Sequence, residues 1–93
     1  MDATTSGYGL TITRNADRLG ALIRFHTHQD CDVILRVLNE EEREVRMLLN
    51  EELGKGSHSV AFSFGTLSGN YHIRLVVNTH NAIDIETHKI KID

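Results

Sequence analysis

Apolar residues fall at every second position along most of this chain. Tyr8, Leu10 and Ile12 share one parity, and Leu19, Ala21, Ile23 and Phe25 share the next, alternating with Gly20, Arg24 and His26. Cys31, Val33, Leu35 and Val37 form a third set, His58, Val60, Phe62 and Phe64 a fourth, and Tyr71, Ile73, Leu75 and Val77 a fifth. A period of two puts each set on one side of a β-strand. Such runs at short, even intervals predict an all-β sandwich or barrel. The closing segment changes parity, from Ile83 and Ile85 to Ile90 and Ile92, which predicts a bulge or bend near Thr87. Gln29-Asp30, Gly54-Lys55-Gly56, Ser68-Gly69-Asn70 and the stretch from Asn78 to Asn81 separate the runs with residues that favour turns.

One stretch supports two readings. Between Asn39 and Gly54, Asn39 is a helix-capping residue type, acids fill the first turn, and Val45, Leu48, Leu49 and Leu53 form a helical stripe that Gly54 ends. Val45, Met47 and Leu49 also alternate as a strand, and a helix here would interrupt a series of hairpins. The strand-and-turn reading is preferred, with a short helix within 39–54 as the alternative. The polar start, residues 1–7, reads as a flexible tail, and residues 8–93 read as a single domain.

Composition narrows the function classes. With 40% hydrophobic and 25% charged residues the chain is too apolar for disorder, and its few aromatics leave a core of Val, Ile and Leu, which suits pleated sheets. The net charge of −3 comes from interleaved acids and bases, so no concentrated basic face marks a nucleic-acid binder. No apolar run approaches the roughly 20 residues that a membrane-spanning helix requires, so membrane insertion is not expected. The first ten residues lack the basic start and apolar stretch of a secretion signal. Cys31 is the only cysteine, and its parity with Val33 and Leu35 makes it a small core residue rather than a nucleophile. No phosphate loop, nucleophile elbow or zinc-protease helix is present, so no catalytic residue and no cofactor are assigned and the chain is not read as an enzyme.

From about Ala21 onward the order of short motifs resembles a known module. Ile23-Arg24-Phe25 is followed by the strand Val33 to Asn39, then by Arg43-Glu44-Val45-Arg46-Met47-Leu48 after a tight turn. Gly56-Ser57-His58 opens an apolar strand, Leu67-Ser68-Gly69-Asn70-Tyr71 makes a corner running into Arg74-Leu75, and Lys89-Ile90-Lys91-Ile92 closes the series. This run is similar to the immunoglobulin-like C-terminal sorting domain of type IX secretion cargo, and to the related sandwich of the flagellar hook-capping protein. Glu42 stands where that pattern has a turn glycine, and Asn15-Ala16 where it has Asn-Pro. The resemblance implies an immunoglobulin/fibronectin type III-like antiparallel β-sandwich of about seven strands. It also implies a non-catalytic protein-interaction module whose partner is the secretion machinery, recognised through the folded surface and last strand.

Candidate contact residues follow from faces. Ile34 and Leu38 lie opposite the inward set of their strand, and Val76 opposite that of the Tyr71 strand. In a fibronectin-like sandwich these strands are neighbours, so Ile34, Leu38 and Val76 are expected to form one outer patch that Leu48 extends. Lys89, Ile90, Lys91 and Ile92 are the expected contacts of the closing strand. Self-association as a stand-alone structural or adaptor protein is the second reading. A third is metal binding through His26 and His28, which share a strand face, although no third ligand is evident and no metal is assigned. The expected location is the cell surface or exterior if the chain belongs to a longer exported protein, and the cytoplasm if Met1 is the native start.

Overall fold

The computed structural model describes residues 7–92. Seven strands carry the chain: β1 (Thr11–Arg14), β2 (Gly20–Thr27), β3 (Cys31–Leu38), β4 (Glu44–Leu53), β5 (Gly56–Ser63), β6 (Gly69–Asn78) and β7 (Ile83–Ile92). They pair antiparallel in two sheets, one ordered β1-β2-β5 and the other β4-β3-β6-β7. The inward parity sets of both sheets meet in one core built on Ile23, Phe25, Val33, Leu35, Phe62, Ile73 and Leu75. Alternation explains the architecture, because each sheet has one apolar face and two such faces bury each other. This is the antiparallel β-sandwich that the strand pattern predicts, in the immunoglobulin-like form that the resemblance implies. The expected tail, apart from Gly7, lies outside the described residues.

The contested stretch is a hairpin, and no helix occurs among the described residues. Asn39 accepts the Glu42 amide at its carbonyl and donates its own amide to Arg43, both at 2.9 Å. Its side-chain Oδ1 accepts the amides of Glu41 and Arg43, also at 2.9 Å. A residue that can cap a helix can also close a turn, since both tasks ask a short acceptor side chain to satisfy nearby amides. The loop of Glu40, Glu41 and Glu42 ends with Glu42 at φ 63, the left-handed conformation that glycine takes most readily. Bulges in β4 bring Leu48, Leu49 and Leu53 of the helix-like stripe to the core and leave Val45 exposed. The β3–β4 register shifts between Leu35 and Arg36 and again between Val37 and Leu38. Leu48 and Leu49 thus both pack against the core from adjacent positions.

Two other expectations are corrected. Leu19 is 68% exposed in the β1–β2 turn, because β2 begins only at Gly20. There is no bulge near Thr87: β7 pairs with β6 in one unbroken register from Asn78 opposite Ile83 to Gly69 opposite Ile92. The parity change therefore reverses the strand's faces, burying Ile90 and Ile92 while Ile83 and Ile85 point to solvent.

The corner before β6 is secured by Tyr71, whose hydroxyl donates to the Ser68 carbonyl at 2.9 Å. A tyrosine near the start of this strand that bonds back to the backbone just upstream is a recurrent feature of immunoglobulin-like sandwiches. Tyr71→Phe keeps the ring and loses the bond, so the denaturant midpoint should fall by an amount equivalent to about 0.5–1.5 kcal/mol.

Candidate functional site

The outer face of the β4-β3-β6-β7 sheet carries the most unusual distribution of side chains. Ile34 lies directly opposite Val76, and Val76 directly opposite Ile85, so three aliphatic residues cross three adjacent strands in one row. Directly opposed residues on one sheet face stand about 4.5–5.5 Å apart at Cβ, which makes the row contiguous. Ile83, two positions before Ile85 on the same face, continues it. Ile83 and Ile85 are 63% and 60% exposed, whereas Ile34 and Val76, nearer the middle of the sheet, are half-buried.

The pairing of Ile34 with Val76 is as the sequence suggests, but the rest of the expected patch is different. Leu38 is only 2% exposed although its parity faces outward. Its cross-strand partners are Glu44 and His72. Around it Arg36 bridges to Glu44 at 3.7 Å, and Arg74 reaches to Glu42 in the β3–β4 turn at 2.9 Å. Long polar side chains therefore flank Leu38 on its own face, where stems of this kind shield aliphatic groups from water. Leu48 faces the core and does not extend the row. Of the four contacts expected on the closing strand, Ile90 and Ile92 belong to the core, and Lys89 and Lys91 are presented to solvent.

Below the aliphatic row the same face is basic. Arg36 lies opposite Arg74, His72 opposite Lys89, and Asn70 opposite Lys91. Glu44 pairs with Arg36 and Glu42 with Arg74, and among the described residues Lys89 and Lys91 make no ion pair. A shallow groove of about 570 Å³ runs here past Asn70, His72, Lys89 and Lys91 to Glu40.

The opposite side of β7 is polar where a core residue would be expected. Asp84, Glu86 and His88 share the face of Ile90 and lie opposite Val77, Leu75 and Ile73. This is tolerated because β1, the edge strand of the facing sheet, is only four residues long. The two edges are tied by Arg14, which donates to the Lys91 carbonyl, and by Tyr8, whose hydroxyl donates to Asp84. Glu86 has one carboxylate oxygen buried without a hydrogen-bond partner. Burial pushes its carboxyl upward, Asp84 adds to this, and His88 opposes it.

Tyr8, Thr27, His28, Cys31, Val77 and Asp84 line a small cavity of about 210 Å³ at the end of the sandwich. Burial, then the bond to Asp84, pushes the Tyr8 phenol from its ordinary 10.0 up to about 12. The unfolded chain releases this proton near pH 10, so stability tied to it is complete below pH 10 and is lost as the pH climbs towards 12. Absorbance at 295 nm should show a tyrosinate step near pH 12, and Tyr8→Phe should remove that step. Burial also raises the Cys31 thiol, which keeps it protonated and poorly nucleophilic.

The histidines are engaged locally. His26 and His28 bring their rings within 5.3 Å, and His28 bonds to the Gly7 carbonyl and stands against Tyr8. The His58 Nε2 lies 3.0 Å from the Gly54 carbonyl and 3.2 Å from the Thr27 hydroxyl. Among the described residues no three His, Cys, Asp or Glu side chains converge as a metal site would require. Among the described residues no helix is long and apolar enough to cross a membrane.

Fold and surface together define an immunoglobulin-like sandwich with an aliphatic row beside a lysine pair on one outer sheet face. No protein-family model, curated protein or solved structure matches the chain.

Proposed function

We propose that this chain is a non-catalytic protein-interaction module that engages another protein through the outer face of the β4-β3-β6-β7 sheet and through β7. The observation that carries the reading is the row of Ile34, Val76 and Ile85, continued by Ile83. Single exposed aliphatics are ordinary on any surface. Four placed side by side on one face, flanked by charge, are the arrangement of a partner site. The resemblance to type IX sorting domains supplies a specific version of this reading, in which the partner belongs to an export machinery.

The test substitutes the row and leaves the core alone. Ile85→Lys, on the exposed half of β7, should change stability by no more than about 0.5 kcal/mol, whereas Ile34→Asp and Val76→Lys, at half-buried positions of central strands, should each cost about 1–2 kcal/mol and still fold, as circular dichroism reports. They should abolish capture of any partner that the parent retains, and any self-association seen by light scattering. Variants that fold and associate as the parent does would overturn the proposal. The sorting version is tested by fusing the chain to a reporter in a cell with type IX export. A reporter that stays inside overturns sorting and leaves self-association, which the same row supports equally.

A further inference from the structure

A sheet edge exposes a line of unpaired amide and carbonyl groups, and folded proteins usually blunt it by shortness, bulges or a cover. Two of the four edges here are blunted, since β1 has four residues and β4 is bulged twice. β5 and β7 are both regular, in unbroken register with β2 and β6, but β7 is the longer, with ten residues against eight, and of the two only β7 carries Asp, Glu or Lys. Arg14 occupies the Lys91 carbonyl, so among the described residues backbone pairing is open from Ile83 to Ile90, and Lys91 offers an added strand its side chain alone.

The side chains along this edge are ordered by chemistry on both faces. Outward, Ile83 and Ile85 precede Thr87, and Lys89 and Lys91 follow it. Inward, Asp84 and Glu86 precede His88 and Ile90. A second copy of β7 fits this order poorly. Antiparallel pairing centred on Thr87 would set Ile85 against Lys89 and Ile83 against Lys91, apolar against charged on both sides. An added strand of complementary order fits well, because directly opposed residues interact in pairs.

We propose that the β7 edge receives an extended segment of a partner protein, antiparallel to β7, with a readable pattern. Its first and third residues are acidic, opposite Lys91 and Lys89, and its seventh and ninth are aliphatic, opposite Ile85 and Ile83. Its sixth and eighth are basic, opposite Glu86 and Asp84. This rests on the protein-binding reading above and names the partner's chemistry. Backbone pairing holds the strand, and the two charge zones of opposite sign fix its register and direction.

The experiment titrates isotope-labelled full chain with the peptide EVETTKVKV and with its charge-reversed counterpart KVKTTEVEV. The first peptide should shift the amide signals of β7 and slow hydrogen exchange along it, and the second should not. Exchanging the lysines, in a Lys89→Glu, Lys91→Glu double variant, should weaken the first peptide by about tenfold or more and erase the preference between the two, because Glu86 and Asp84 still oppose the second. Circular dichroism and the thermal midpoint report that the variant is folded. Equal response to both peptides, or no slowed exchange in β7, overturns the inference, as does concentration-dependent protection without peptide, which would put a second copy on the edge. If the edge fails these tests while Val76→Lys still abolishes association, the broader protein-binding reading stands. If Val76→Lys is also silent, both fall.

Discussion

Phe62→Ala should lower the denaturant midpoint by the equivalent of about 3–5 kcal/mol, the usual cost of truncating a buried aromatic residue. Phe62 is almost fully buried, meets Phe64 edge-to-face at 5.2 Å between ring centroids, and carries the Arg46 guanidinium 5.9 Å above its ring. Removing the ring forfeits its transfer from water, the aromatic pair and the support under Arg46. The side chain projects from β5 between two sheets held by their own ladders, so the cavity cannot close without shifting a strand. Domains of this size are stable by only about 5–15 kcal/mol, and each kilocalorie moves the melting temperature by about 4–8 °C. A variant that melts within a few degrees of the parent would mean the core relaxes far more than its packing implies.

Gly20→Ala should be the second large loss, about 1–3 kcal/mol, by the opposite mechanism of overcrowding. A Cβ at Gly20 would stand 2.5 Å from the Phe62 carbonyl oxygen and 3.1 Å from the Asn15 side-chain nitrogen. The oxygen belongs to the backbone of β5, which is paired with β2 at this point, so it cannot move aside without loosening the ladder. Gly20 is thus required for lack of volume. Gly20→Ser should cost at least as much, and the same midpoint measurement checks both.

Periodicity made the sandwich legible because burial imposes it: Ile23, Val33, Leu35, Ile73 and Leu75 all stand where a period of two places them. The β3–β4 turn was ambiguous because Asn39 and the acids after it are equally good at starting a helix or closing a hairpin. Long-range pairing decided between them. The error over β7 has a different cause. Four isoleucines in one strand suggest four core residues, and a bulge is then needed to reconcile their parity. That reasoning does not see that the facing strand β1 is too short to bury the first half of β7. A bulge would turn all four isoleucines to one side, so parity alone hides Ile83 and Ile85 as the exposed continuation of the patch. Leu38 failed in reverse, because parity says which way a residue points and not whether Arg36 and Arg74 will flank it. The contact between Tyr8 and Asp84 left no mark in sequence, since the two residues are remote along the chain and of ordinary type.

The position of Cys31 has a practical consequence. Its sulfur sits at the start of β3, where the residue is 6% exposed and the thiol is held in its unreactive form. An alkylating reagent in solution can reach it efficiently only when the end of the sandwich opens and releases it. With no second thiol in the chain, the labelling rate of the intact protein is a direct clock for that opening, readable by mass alone. A partner strand seated on β7 would slow that clock only if it also steadies the end where Tyr8 and Asp84 meet.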